Sequence, residues 1–212
     1  ELFLNITEVN FTLPKDSLIS LDGCGYDSSS GTGQGTDGSS GSGSGGAGHA
    51  GAGGDGEAGV SGGSAYGSFS LPLDFGSGGG TYLTGTGGLG GGIIRIVLTD
   101  TLNISGNIST NGGVGIATGG DGRAGGGGSG GSIYINASSL IGSGKMYSDG
   151  GNGGDNADAD GGGASGGRIS VSATTFSWTP SYSITAGTGP DDATDGSAGT
   201  FYSSPPTISS VS

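Results

Sequence analysis

The sequence predicts an all-β protein, a right-handed parallel β-helix (β-solenoid) with long Gly-rich loops, and three observations carry that prediction. Glycine supplies 57 of the 212 residues and only 30% are hydrophobic, which leaves too little side-chain material for packed helices. Gly also costs about 1 kcal/mol relative to Ala in a helix interior. Between the Gly-rich stretches stand short runs of apolar alternation, the period of a strand. These runs recur: Ser129-Gly130-Gly131-Ser132-Ile133-Tyr134-Ile135 returns as Ser165-Gly166-Gly167-Arg168-Ile169-Ser170-Val171, and Gly90-Gly91-Gly92-Ile93-Ile94-Arg95-Ile96 is an earlier copy. A repeat of this length is the scale of stacked architectures. Collagen is excluded because Gly does not hold a strict every-third-residue register.

Taken in chain order, residues 1–22 lack Gly and alternate through Leu2, Leu4, Ile6, then Val9, Phe11, Leu13, so they read as opening strands or a cap. Residues 23–92 form the largest insertion, interrupted by Tyr66-Gly67-Ser68-Phe69 and Leu71-Pro72-Leu73-Asp74-Phe75, whose aromatics are expected to pin it against the coil. Each later unit reads as a Gly-Gly step, an I-x-I strand, a corner, a Leu, a G-x-G kink, an apolar residue, and Asn or Asp before Gly. Leu102 to Gly113 and Leu140 to Gly151 share that second half, with related forms at Ile19–Gly23 and Ile184–Gly187. A worn copy of the first half is Ser197-Ala198-Gly199-Thr200-Phe201-Tyr202. The apolar positions predict a narrow core of Ile19, Ile94, Ile96, Leu102, Ile108, Ile133, Ile135, Leu140, Met146, Ile169, Val171, Phe176 and Ile184. Residues 1–202 are thus one domain, and 203–212 are an exit linker or the start of a following domain.

Charge and cysteine usage bound the partners. Eighteen acids against five bases give a net charge of −13, and Lys15, Arg95, Arg123, Lys145 and Arg168 form no basic run, so nucleic acid is an unfavourable partner. The lone Cys24 excludes an internal disulfide and a Cys-rich zinc site, leaving an intermolecular disulfide as its reactive option. No apolar run approaches the roughly 20 residues of a membrane span. The first residue is Glu1, with no signal segment, which fits a mature product or a fragment of a longer precursor. Five N-x-S/T sequons, at Asn5, Asn10, Asn103, Asn107 and Asn136, point to a secreted or cell-surface glycoprotein. Asn103 and Asn107 are expected to face outward together on one strand-forming stretch.

The order of GYDSSSGTGQG (25–35), GAGHAGAGG (46–54), FGSGGG (75–80), GGLGGGIIRI (87–96) and GGGGSGGSIYI (125–135) resembles the glycine-rich parallel β-helix segments of large secreted and cell-surface proteins of bacteria and protists. The resemblance covers about residues 17–202 and implies architecture, not catalysis. Pro205-Pro206-Thr207-Ile208-Ser209-Ser210-Val211 resembles the opening strand of an immunoglobulin-like TIG domain, which implies neighbouring domains in a larger surface protein.

No catalytic group is assigned. His49 is the sole histidine, so a Ser-His-Asp triad would have to use it with residues such as Ser61 and Asp55, yet no nucleophile elbow surrounds it. Asp191-Asp192 and Gly48-His49 stand in the reverse of the order found in polygalacturonases, whose sugar-reading basic pair is also missing. Residues 150–158 approach the G-G-x-G-x-D-x-U-x calcium turn, with Ala157 in place of the large aliphatic. Asp155, Asp158 and Asp160 are therefore the candidate calcium ligands, with Asp191, Asp192 and Asp195 as a second oxygen set. Trp178 is the candidate ligand-stacking aromatic. The functional expectation is a non-enzymatic structural module, a stiff segment of an extracellular filament, appendage or matrix, with self-association or neighbouring domains as partners. The alternatives are an adhesin binding glycans or receptors through Gly-rich loops and a calcium-dependent polysaccharide-acting enzyme.

Overall fold

A computed structural model describes residues 1–83, 85–117, 123–179 and 181–204. The first rung consists of β1 (Phe3–Glu8), β2 (Phe11–Leu13) and β3 (Leu18–Ser20), and the second of β4 (Ile93–Leu98), β5 (Thr101–Ile104) and β6 (Asn107–Ser109). The third has a long strand, β7 (Ser132–Gly142), and β8 (Met146–Tyr147), and the fourth repeats that plan with β9 (Arg168–Trp178) and β10 (Tyr182–Ser183). The last, β11 (Thr200–Ser204), pairs with β9. All these strand pairings are parallel, and they make a seven-stranded sheet and a four-stranded sheet in the order β10-β8-β6-β3. The pairings follow the sequence repeat: Ile94 lies beside Ile133, Ile133 beside Ile169, and Leu102 beside Leu140.

Apolar residues at matching register positions stack from rung to rung. Leu4, Ile94, Ile133, Ile169 and Phe201 make one file. Ile19, Ile108, Met146 and Tyr182 make another, across the second sheet. The files converge on one core in which Ile94, Ile96, Leu102, Ile104, Ile108, Ile133, Ile135, Leu140, Met146, Ile169 and Val171 are inaccessible to solvent. Each such burial is worth about 1.5–3 kcal/mol. A polar file runs alongside: Asp22 accepts from Asn111 N (2.6 Å), Asn111 from Asp149 N (2.8 Å), and Asp149 from Thr185 N (2.7 Å). The Asn or Asp before Gly in each of the first three units therefore accepts a backbone N–H from the next rung, and the fourth unit has Ala186 at that place.

The expected β-helix is not what forms. The parallel strands lie in two sheets, and among the described residues no third strand set closes them into a solenoid. The Gly-rich stretches, expected as loops, explain why. Along residues 43–48, successive N–H groups donate to Glu57, Ala124, Thr36, Gly54, Gly127 and Gly33. Partners thus alternate among three neighbouring segments with a period of three: 57 then 54, 124 then 127, 36 then 33. Residues 124–131 do the same, donating to Ala159, Gly162 and Ser165 on one side, to Ile116, Gly113 and Thr110 on a second, and to Gly80 and Ser77 on a third. Three residues per turn without internal hydrogen bonds is the geometry of the polyproline II helix, here taken up by glycine and cross-linked in three directions.

Glycine is required by the approach distance. A Cβ at Gly43 would run into the carbonyl of Asp160, and one at Gly126 into the carbonyl of Gly45. The backbones pack as closely as hydrogen bonds allow, and only residues at special positions, such as Ser44 and Ala47, carry a side chain inside the bundle. The only helix among the described residues is the 3-10 turn Glu57–Gly59, and no helix is long and apolar enough to cross a membrane.

Candidate functional site: a strap held by Arg168

The segment from Tyr66 to Phe75 crosses the outer surface of the seven-stranded sheet, held there by side chains that β7 and β9 turn away from the core. Ser132 Oγ donates to the Asp74 carbonyl (2.7 Å) and Ser170 Oγ to the Ser70 carbonyl (2.9 Å). Arg168 does most of the holding. Its Nη2 donates to the carbonyls of Tyr66 (2.6 Å) and His49 (3.2 Å), its Nε to Tyr66 (3.2 Å), and its Nη1 to Thr200 Oγ1 (3.2 Å). The planar, forked guanidinium suits this task, since several N–H donors converge on carbonyl oxygens while the charge stays fixed. Burial lowers the Arg168 pKa, and the Asp74 carboxylate opposes that shift.

Beneath the strap, His49 is fully buried and its ring lies 4.8 Å from that of Tyr66. His49 Nδ1 is 2.7 Å from the Gly130 carbonyl, so Nδ1 carries the proton and Nε2 is the bare nitrogen. That Nε2 is buried without a hydrogen-bond partner. Burial lowers the His49 pKa to about 4, with the Gly130 carbonyl opposing and the Arg168 charge reinforcing the shift. Tyr66 donates its hydroxyl to the Phe75 carbonyl and meets Ser77 Oγ at 2.8 Å. Burial pushes the Tyr66 pKa upward.

This constellation positions backbone. His49 is closed off from solvent against the Tyr66 ring and the Gly130 carbonyl, and no pocket opens among the described residues. Ser61 is exposed and Asp55 accepts from Gly62 N (2.9 Å), so neither is a hydrogen-bond partner of His49. What the strap does offer to solvent is an apolar ridge of Phe69, Leu71 and Leu73, which are 57, 49 and 38% exposed. Phe69 packs edge-on against Tyr202 at the ridge's root.

The other predicted residues fall at separate places. Asp155 and Asp158 are exposed, whereas Asp160 is buried and accepts from Asn156 N (2.8 Å) while its own N–H donates to Glu57 Oε2 (3.0 Å). Burial raises the Asp160 pKa, which disfavours the charged form a calcium ion needs. No three His, Cys, Asp or Glu groups among the described residues stand close enough to hold a metal. Trp178 does not present a stacking face: it is buried in the core, its indole N–H donating to the Gly144 carbonyl (3.1 Å). Cys24 is a half-buried free thiol whose Sγ contacts the Asp22 carbonyl (3.4 Å).

Asn5, Asn10, Asn107 and Asn136 are exposed. Asn103 is half-buried on β5 and accepts from Ser105 Oγ, whereas Asn107 lies across the corner on β6, so the two sequons occupy different sheets and share no face. The TIG-like residues 205–212 lie outside the described residues. Arg168, which organises the strap, went unassigned in the sequence because a single Arg in place of Ser132 carries no motif. Its one signal is a charge at the repeat position where β7 has Ser132. No protein-family model, curated protein or solved structure matches the chain.

Proposed function

We propose that this chain is a non-enzymatic structural module of a secreted, glycosylated surface or matrix protein, serving as a stiff segment of a filament, appendage or matrix. The three-directional hydrogen bonding of the glycine bundle supports this reading most directly. Strands in the two sheets are tied along the stack, and the polyproline II segments beside them are tied to three neighbours each. A segment can then yield only by breaking several hydrogen bonds together, and stiffness follows from the backbone alone. Single-molecule extension tests the reading. A mechanical module unfolds in one cooperative event, whereas gradual lengthening of residues 23–92 at low force, or turnover of a polysaccharide by the purified chain, overturns it.

An adhesin is the second reading, favoured by the ridge of Phe69, Leu71 and Leu73 on a strap anchored at both ends. Binding on a glycan or receptor array that Leu71→Ser abolishes, with folding unchanged, would select it.

A further inference from the structure

Core residues that are incompletely covered sit almost entirely at the two ends of the stack. Leu4, Ile6, Phe11 and Ile19 of the first rung, and Phe176, Ile184 and Phe201 at the last, are half-buried, whereas Ile94, Ile96, Leu102 and Ile108, one rung inward, are inaccessible. The first rung also leaves Leu2, Phe3, Val9 and Leu18 at 48–62% exposure. Among the described residues its outer strand β1 pairs on one side only, with β4, and β11 pairs on one side only, with β9. Both edges therefore carry unpaired backbone groups of the kind that template another strand.

We propose that a second copy of this chain docks on the first rung, its β11 adding in parallel to β1 and continuing the rung-to-rung packing already present within one chain. Because the ladder is parallel throughout, a copy displaced along its axis presents β11 in the same direction as β4 runs beside β1 on the other side. In the register of the existing files, Phe201 of one copy covers Leu4 of the next, and Tyr182 covers Ile19. Charge selects this arrangement over a two-fold pairing of first rungs. The first-rung end carries Glu1, Glu8, Asp16 and Asp22 with only Lys15 against them, while the strand residues at the other end, 174–179, 181–184 and 200–204, carry no charge, the carboxylates of that unit, Asp191, Asp192 and Asp195, lying in the Gly-rich turn between β10 and β11. Head-to-head contact sets carboxylates against their own copies, and head-to-tail contact sets them against uncharged strands. Such an interface is heterologous and does not close, so it propagates. The proposal rests on the structural-module reading and gives that module its partner.

The test is sedimentation velocity of the full chain across concentration, in enough salt to screen the net charge. The parent should grow into an open series of species. Leu4→Lys, which blocks the first rung, and Phe201→Lys, which blocks the last, should each stay monomeric alone, and their equimolar mixture should form a two-chain species and nothing larger. Circular dichroism and Tm check that both fold; if Leu4→Lys does not, the exposed pair Phe3→Lys and Leu18→Lys blocks the same end. A parent that stays monomeric, one that stops at a dimer, or blocked variants that fail to pair in the mixture overturns the proposal. A parent that stays monomeric yet unfolds cooperatively under force removes only the self-docking, whereas polysaccharide turnover removes the structural reading whatever the assembly state.

Discussion

His49 Nδ1 lies 2.7 Å from the carbonyl oxygen of Gly130, a residue 81 positions further along the chain, and this bond ties the large Gly-rich insertion to the step that leads into β7. The ring is buried, neutral, and bare at Nε2. Protonation there would place a buried cation beside the Arg168 charge, with the Tyr66 ring 4.8 Å away.

Acid should therefore loosen the fold through His49. In the unfolded chain the imidazole takes its proton near 6.5, in the folded chain near 4, so the unfolded state binds more protons between those values. The stability that the neutral ring contributes is complete above about pH 6.5 and is lost as pH falls toward 4, on the order of 3 kcal/mol in all. Asp160 acts in the opposite sense, since its raised pKa relieves a penalty on acidification. Urea denaturation of the parent and His49→Gln from pH 7 to pH 4 separates the two, because Asp160 is common to both. The parent should lose more stability than the variant across that range, and parallel curves would show that His49 does not titrate as its burial requires.

Replacing Arg168 with Lys should free the strap while keeping the charge. A single ammonium cannot replace the Nε, Nη1 and Nη2 donations to Tyr66, His49 and Thr200. The expected loss is about 2–3 kcal/mol, with faster chymotrypsin cleavage after Phe69 and Leu73, the Leu71–Pro72 bond being resistant. Mass spectrometry of the early fragments reads the site, and cleavage elsewhere first would place the weak point outside the strap.

Two glycine substitutions should differ sharply. Gly43→Ala drives a methyl group into the Asp160 carbonyl and should cost about 3 kcal/mol or more, since overpacking against backbone has no rotamer to relieve it. Gly41, two residues away, has open space around it and a φ of +86°, so Gly41→Ala should cost only about 1–2 kcal/mol of backbone strain. Tm values of the pair measure the contrast, and equal losses would mean that close approach is not what excludes side chains from the bundle.

Trp178→Phe should keep the core packed yet lose the indole donation to Gly144, lowering stability by about 1–2 kcal/mol. Because the ring is buried, any glycan binding the chain has should be unchanged on an array. Loss of such binding with Tm intact would mean that Trp178 reaches the surface.

The strands were legible because their information is local. An I-x-I run states its period within a few residues, and copies at Ile94, Ile133 and Ile169 need only be aligned to show which positions stack. Pairing Leu102 with Leu140 required no knowledge of the fold, since identical rungs bury identical side chains at matching positions. The insertion between Gly23 and Gly92 was a different problem. A glycine carries no side chain to indicate which neighbour it will meet, and the polyproline II form has no internal hydrogen bonds to announce it. Arg168 was silent for a related reason: its partners are carbonyls of Tyr66 and His49, more than 100 residues away in the chain.

By itself, then, the sequence determined the parallel rungs, the apolar files and the surplus of acid. Only the tertiary structure decided that the glycines would cross-link as a bundle, that two sheets would remain without closing, and that Trp178 would turn inward while Phe69, Leu71 and Leu73 turned out. The physical reason is that apolar periodicity is written in neighbouring side chains. The partners of a bare backbone N–H are instead chosen when distant segments come close enough for a Cβ to be in the way.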